Sequence, residues 1–412
     1  MNDLRIEDRL LLTCARICSD SERAEAIEAL VRKDIDWTCL IREANHHGVL
    51  PLLYSGLNDT CPETVPGTLL GNLRNEFHAN ARHNLYFVGK LFELLDLFKI
   101  HGIQAAPYKG PVLAASVYGN VAMRQFSDLD IIIHENDFLK AKNLLISQGY
   151  RPEIELPTAQ EAVFLKFQRD YKFFCNGDTG IVELQWRIPP TYFPFYFDTQ
   201  YLWKHLEPVS IAGREIKTIS PEHLILILCI HGLCHCWERL EWVCDVAKLI
   251  SVRKNILWGK VLNDAGQLGI ERIILFGLLL ANNLLDAALP EEVLRRAEED
   301  PIIKSLAVMR KENFFLEVSR PLKAFLDSFI HVRMWRRVED KVRYCLGIAF
   351  TPNVKDIMVL KIPPSLFPLY YLVRPIRLTV EYGIGALSST LNRTFRDEVK
   401  ANVHEPSDRV TQ

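Results

Sequence analysis

Apolar positions recur every three or four residues from Arg5 to about Ala81, beginning with Leu10, Leu11, Cys14, Ile17 and Cys18, and this spacing predicts helices. Proline and glycine punctuation between Cys61 and Gly71 separates a first bundle from a long helix over roughly Leu69–Ile100. His101-Gly102 closes that helix, because glycine tolerates the left-handed turn that ends helices. Within the bundle, His46-His47-Gly48 reads as a helix end. Adjacent helical histidines point about 100° apart and make poor co-ligands.

The period then shortens. Ile103–Tyr108 reads as a short strand, Lys109-Gly110 as a turn, and Pro111 as the first residue of a helix reaching about Tyr118. Asp128 to Ile133 reads as a buried strand, and Glu135–Gln148 as a helix ending at Gly149. Phe164–Cys175 and Ile181–Arg187 read as strands joined by the polar turn 176–180; in the second, Val182, Leu184 and Trp186 alternate with Glu183, Gln185 and Arg187. Ser220-Pro221-Glu222 opens a helix, with serine as the cap and proline at the first position, and the helical pattern runs from His223 to about Ser251. Trp258–Leu268, Glu271–Leu285, Glu291–Glu299 and Phe314–Leu346 follow as further helices, and a proline-aromatic run from Pro352 to Leu387 leads into a polar tail beyond Thr394. The predicted class is α+β, a small mixed-sheet core flanked by N-terminal and C-terminal helical regions. The expected boundaries are 1–84 for the N-terminal helical region, 85–218 for the core, 219–330 for a helical domain walling a cleft, and 331–412 for the C-terminal segment and tail.

Charge narrows the partners. Lysine and arginine number 49 against 51 acidic residues, so the formal net charge of −2 creates no global field for a long nucleic acid. The amino terminus, MNDLRIEDRLLLTCARICSD, is charged and amphipathic and does not have the layout of a secretory signal. The ten cysteines then read as thiols of a cytoplasmic protein; Cys14 with Cys18 and Cys234 with Cys236 are poor zinc spacings. Apolar runs are interrupted before the roughly 18 residues a membrane span needs. Leu224–Cys236 carries two histidines, Ile273–Leu285 carries Asn282 and Asn283, and Ile362–Val373 carries three prolines, the last being suited to a partner or membrane surface.

Candidate chemistry centres on Asp128-Leu129-Asp130. Alternate strand residues share a face, so both carboxylates point the same way and repel each other unless a cation lies between them or one takes a proton. A hard divalent ion is one answer. The other is that one aspartate caps a turn while its neighbour pairs with Arg124 or Lys109. Glu183, on the polar face of a later strand, is either a third carboxylate of the same site or an exposed strand residue. Along the predicted helix from His223, the residues His231, His235, Glu238, Trp242 and Asp245 recur at three or four and share a face. That face reads as a polar seam on a cleft, as packing histidines, or, with Cys234 or Cys236, as a metal site. Arg333, Arg336, Arg337, Lys341 and Arg343 read as a solvated charged face or an anion-holding one.

These motifs resemble the DNA polymerase beta-like nucleotidyltransferases, and more closely the bacterial group described as uncharacterised nucleotidyltransferases. The resemblance rests on Lys109-Gly110, Tyr118, Arg124, Ser127-Asp128-Leu129-Asp130, Gly149-Tyr150, Val182-Glu183-Leu184-Gln185-Trp186, the His231–Asp245 helix, His47–Tyr54 and LYYLVRPIRL, and spans about residues 40–385. It implies a nucleotidyltransferase core moving a nucleoside monophosphate from a nucleoside triphosphate to an acceptor hydroxyl, with pyrophosphate leaving. Asp128, Asp130 and Glu183 would be catalytic and would hold Mg2+ or Mn2+. Lys109, Gly110, Arg124, Ser127, His231 and His235 would bind the nucleotide. The chain departs from the group in two places: Lys109-Gly110 stands where the superfamily has Gly-Ser, and Gln185 where the closer group often has histidine. These departures set a non-catalytic nucleotide-binding or regulatory module as the alternative.

Overall fold

The computed structural model describes residues 4–156, 161, 165–175, 180–316, 320–359 and 362–380. Residues 176–179 of the predicted turn 176–180, the start of the strand expected at Phe164, the end of the proline-aromatic run beyond residue 380 and the tail beyond Thr394 lie outside the described residues. The chain divides into two compact units. The first comprises Met1–Glu155, Arg169–Pro190 and Pro194–Lys341; the second comprises Leu156–Gln168, Thr191–Phe193 and Val342–Gln412.

The first unit opens with helices α1 (Ile6–Ala15), α2 (Asp20–Val31), α3 (Trp37–His46), α4 (Leu50–Thr60) and α5 (Gly67–Ile100). Local sequence explains their starts. Ser19 and Glu22 form a reciprocal capping box on α2, and Asp36 accepts the Cys39 amide at the start of α3. The helix α3 ends at His46, as the His-His-Gly pattern predicts. The helix α5 buries Leu70, Leu73, Phe87, Val88, Leu91, Leu94 and Phe98, and it turns Asn80 and Asn84 toward the segment that precedes the aspartate strand.

A five-stranded sheet follows, with β1 (Ala105–Pro107), β2 (Asp128–Ile133), β3 (Tyr150–Pro152), β4 (Asp170–Cys175) and β5 (Ile181–Gln185) in the order β1-β2-β5-β4-β3. The β2 and β5 strands are parallel; the other pairs are antiparallel. Register places Asp130 beside Glu183, and Lys172 beside Glu183 on its other flank. Because faces alternate, Leu129, Ile131, Ile133, Val182 and Leu184 occupy the opposite, apolar face. Helix α7 (Phe138–Ser147) contributes Phe138 to this core, with its ring centroid 4.8 Å from Trp186 and 5.4 Å from Tyr171. The helix predicted from Glu135 therefore begins with a 3-10 turn over Glu135–Asp137, and the helix predicted from Pro111 is the shorter α6 (Pro111–Ser116). The strand expected from Phe164 is confined to β4, and residues 165–167 are helical. A hairpin of β6 (Leu206–Ile211) and β7 (Arg214–Ile219) was not predicted. Its turn, Ala212-Gly213, has φ of 48° and 81°, the mirror-image geometry usually signalled by Asn-Gly.

The long helix expected over His223–Ser251 is two helices, Pro221–Cys234 and Leu240–Val252, separated by positive φ at Cys236 (49°) and Trp237 (55°). Trp237 causes the break. Its indole is fully buried in a notch made by two glycines: a Cβ on Gly232 or Gly277 would lie 2.5 Å from the ring. A continuous helix would carry Trp237 away from this notch, and Arg310 stabilises the reversal by donating to the Trp237 carbonyl at 2.9 Å. Ser220 also differs from expectation: its hydroxyl contacts His223 Nδ1 at 2.8 Å and makes no cap to the helix amides. The predicted Phe314–Leu346 span contains helices Arg320–Met334 and Val338–Phe350.

In the second unit, Asp356 is fully buried and ion-paired with Arg374 at 3.3 Å and Arg377 at 2.6 Å, and the Ile362 amide donates to the Tyr370 hydroxyl. Among the described residues no helix is long and apolar enough to cross a membrane.

The glycine notch gives a direct test. Gly232→Ala or Gly277→Ala should lower the free energy of unfolding by about 1–3 kcal/mol through overpacking against Trp237. Gly259→Ala, at a helical position with nothing within 4 Å of the new methyl, should be neutral or slightly stabilising. Urea denaturation of the three variants measures the difference.

Candidate active site

The polar face of the sheet is built by alternation. Asp128 and Asp130 project from β2, Glu183 and Gln185 from β5, and Asp170 and Lys172 from β4, all in register across three adjacent strands. Tyr108, just beyond β1, hydrogen-bonds through its amide to the Asp130 carbonyl at 3.4 Å and joins the same face. The Pro221–Cys234 helix supplies Ile227, Ile230 and His231 opposite it.

Gln185 organises the carboxylates. Its amide nitrogen donates to Asp130 Oδ1 at 2.8 Å and to Glu183 Oε1 at 2.6 Å, while its carbonyl accepts the Tyr108 hydroxyl at 2.7 Å. Lys109 Nζ lies 3.5 Å from Asp130 Oδ1, and Lys172 Nζ lies 3.6 Å from Glu183 Oε2. These contacts do not neutralise the site. Burial and then the Asp130 charge raise the Asp128 carboxyl, and the same two causes push Glu183 up to about 8. The raised carboxyls of Asp128 and Glu183 are chemistry that a hard cation would relieve. Asp128 and Asp130, with Glu183 alongside, would be the residues to hold one. Among the described residues no three His, Cys, Asp or Glu side chains are gathered as a ready metal cluster, and Gln185 stands between Asp130 and Glu183. The same statement covers the histidine-cysteine alternative for His231 and His235.

Lys109 also reaches His231, with Nζ 3.2 Å from Nδ1. An ammonium has only donors, so Nδ1 accepts and the ring is neutral. Burial, followed by the charge of Lys109, holds His231 well below its usual pKa, and burial with Arg169 lowers His235 to about 4. The two imidazole rings lie 4.7 Å apart, and the Trp242 ring is 5.0 Å from His235. Despite the helix break, these three side chains converge. Glu238, expected on the same face, pairs with Lys323 at 2.8 Å.

Gly110 has φ of 50° and ψ of −121°, and a Cβ there would lie 3.0 Å from the Asp128 carbonyl, so close approach of the turn to β2 requires glycine. Of the amides at the start of α6, Pro111 has none and that of Val112 donates to the Lys109 carbonyl. Arg124 is engaged elsewhere: Nε and one terminal nitrogen each donate to Asp245 at 2.8 Å, and Tyr118 donates to the same carboxylate. Burial opposes the Arg124 charge, but Asp245 overrides it and holds the guanidinium pKa above its usual value. Asn84 donates to the Arg124 carbonyl at 2.8 Å, and His83 contacts the Phe126 carbonyl at 3.1 Å, so α5 anchors the approach to β2 from the other side.

Two cavities meet at Lys109, Asp128, Asp130, His231 and His235. One, of about 490 Å³, extends past Asn80, Arg124, Ser127, Arg239, Glu241 and Trp242; the other, of about 260 Å³, extends past Arg169, Lys172, Glu183, Gln185 and Ile188. All the predicted site residues except Gly110 and Glu183 line the first, and Glu183 lines the second. Arg169, Lys172, Arg239 and Glu241 were missed. Lys172 had a signal in the polar-apolar alternation of Asp170-Tyr171-Lys172-Phe173, whereas Arg169 precedes its strand and had none.

The model of a protein family matches residues 33–286, which span the sheet and the helices lining both cavities. The chain belongs to the uncharacterised nucleotidyltransferase family. No curated protein matches the sequence. Among solved structures, the lincomycin-bound lincosamide antibiotic adenylyltransferase LnuA is 18% identical, with 40% of this chain and 97% of that chain covered at a TM-score of 0.30. The antibiotic-resistance factor ANT(2'')-Ia is 12% identical, with 45% and 92% covered at 0.31. An antigenic nucleotidyltransferase-like protein from Paracoccidioides brasiliensis is 17% identical, with 49% and 93% covered at 0.26. At these scores the likenesses assign no substrate to this nucleotidyltransferase.

The raised Glu183 carboxyl has a pH signature. A folded-state pKa of about 8 against an ordinary 4.5 means that the stability of the metal-free nucleotidyltransferase is greatest below about pH 4.5 with respect to this group, and is lost progressively as pH rises through about 8. Glu183→Gln should flatten that fall in chelator-treated protein, measured as urea midpoint against pH. Equal slopes in the two proteins would remove the assignment.

Proposed function

We propose that this nucleotidyltransferase moves a nucleoside monophosphate from a nucleoside triphosphate to the hydroxyl of an acceptor. The observation that carries this reading is the in-register trio Asp128, Asp130 and Glu183 on one buried sheet face, opening into two joined cavities with Lys109 between them. In the proposed reaction the acceptor oxygen attacks the α-phosphorus, a new P–O bond forms as the bond to the β-phosphate oxygen breaks, and pyrophosphate leaves.

Asp128 and Asp130, with Glu183 alongside, would hold Mg2+ or Mn2+, which when bound supplies charge neutralisation to the phosphates. Lys109 offers its remaining donors to the triphosphate, held in place by Asp130 and His231. Glu183 in its ionised form takes the proton of the acceptor hydroxyl. Arg124, tied to Asp245, keeps the Gln125–Ser127 approach in place. Gln185 holds Asp130 and Glu183 at a fixed separation without adding charge, which is how the position can work without a histidine. The acceptor belongs to the hydroxyl-bearing small molecules, protein side chains or pathway intermediates; a chain of net charge −2 is a poor match for a long nucleic acid.

Asp128→Asn and Asp130→Asn should each lower pyrophosphate release by at least about 100-fold while the proteins remain folded, because each removes a carboxylate that would hold the cation that neutralises the phosphates. The assay is pyrophosphate release with each triphosphate, Mg2+ or Mn2+, and a panel of hydroxyl acceptors. Unchanged release in both variants would show that the aspartates are not the catalytic pair. Triphosphate binding by the wild type with no release across the panel would favour a non-catalytic binding module.

A further inference from the structure

We propose that Trp242 is the platform on which the nucleobase of the triphosphate stacks, an inference that rests on the nucleotidyl-transfer reading and adds to it the location of the base. Ligand sites for molecules of nucleotide size usually enclose about 300–1,000 Å³. The cavity of about 490 Å³ falls in that range and the neighbouring one of about 260 Å³ falls below it, so the larger cavity takes the nucleotide. Trp242 lines the larger cavity and is absent from the lining of the smaller. Its indole is half-buried, neither sealed in the core like Trp237 nor free in solvent.

The route from the carboxylates to the indole is continuous. Lys109 Nζ is 3.5 Å from Asp130, His231 Nδ1 is 3.2 Å from Lys109, and the His231 ring meets Trp242 edge-on with centroids 5.6 Å apart. In the proposed pose the triphosphate lies along Lys109 with its nucleoside end at Trp242. His235 lies tilted at 36° against the indole and, held neutral by burial, adds an uncharged ring to the aromatic wall. Stacking on an indole tolerates every base, because each has a π-face, and it favours the larger purines. The smaller cavity, with Glu183 and Lys172, then receives only the reacting end of the acceptor.

The experiment measures binding of Mg2+-ATP, Mg2+-CTP and inorganic tripolyphosphate to the full-length protein by calorimetry, alongside tryptophan fluorescence. Wild type should bind ATP more tightly than CTP, and both nucleotides should quench fluorescence where tripolyphosphate does not. Trp242→Ala should weaken ATP binding by about tenfold or more and leave tripolyphosphate binding within about twofold, the loss expected for one stacked base. Trp242→Phe should retain most of the affinity while losing the nucleotide-dependent quench. Equal weakening of ATP and tripolyphosphate in Trp242→Ala, or unchanged ATP binding in that variant, would overturn the stacking role. Wild-type protein that binds none of the three would overturn the nucleotidyl-transfer reading itself, a result distinct from those that reject Trp242 alone.

Discussion

Mutual repulsion among carboxylates crowded on one sheet face is the constraint around which the first unit is arranged. Asp128, Asp130 and Glu183 share one sheet face through a parallel pairing in which a slip by one residue would turn a strand's carboxylates into the apolar core. A one-residue slip would exchange the carboxylates for Leu129, Ile131 and Leu184, so the same hydrophobic pattern that packs the sheet against α7 also gathers the acids. Their repulsion is moderated by an amide and two ammonium groups, yet Asp128 and Glu183 still hold protons more tightly than ordinary carboxyls. The fold thus stabilises a charge arrangement that is incomplete by itself, a condition suited to a site whose ligand brings cations and phosphates together.

Arg124 and Asp245 give this face its second support. Each charge is almost fully buried, and removing one partner from such a pair typically costs about 3–5 kcal/mol because the other is left uncompensated. The pair ties the loop that enters β2 to the Leu240–Val252 helix, while Asn80, Asn84 and His83 hold that loop to α5. An arginine that resembles a phosphate ligand in the sequence is thereby committed to protein. Lys109 lines both cavities beside the two aspartates, and the neutrality of His231 is what lets it receive one of the Lys109 donors.

How far the sequence was legible depended on whether a signal was local. The Asp128–Ile133 strand, its alternation with Val182-Glu183-Leu184, the 34-residue α5 and the turn at Gly110 were all readable, because periodicity and glycine chemistry act over a few residues. The β6–β7 hairpin was not, since Ala212-Gly213 lacks the Asn-Gly signature and neither strand buries a full face. Nor could the pattern show that Arg124 answers to Asp245, 121 residues away, or that Gln185 bridges two acids on different strands. Those pairings are products of topology.

The break at Trp237 shows how a wrong element can still lead to a nearly correct site. A continuous helix places His231, His235, Glu238, Trp242 and Asp245 on one stripe. In the structure the backbone reverses between the second and fourth of these, driven by an indole seeking the glycine notch; Glu238 leaves the group for Lys323, and Asp245 is turned to Arg124. The reversal also brings Arg239 to Glu241 at 3.0 Å and sets Trp242 at the cavity wall, geometry that a straight helix does not offer. Core packing at Gly232 and Gly277 therefore decides where the indole of Trp242 lies, and a substitution that repacks the notch acts on the cleft without touching any residue that lines it.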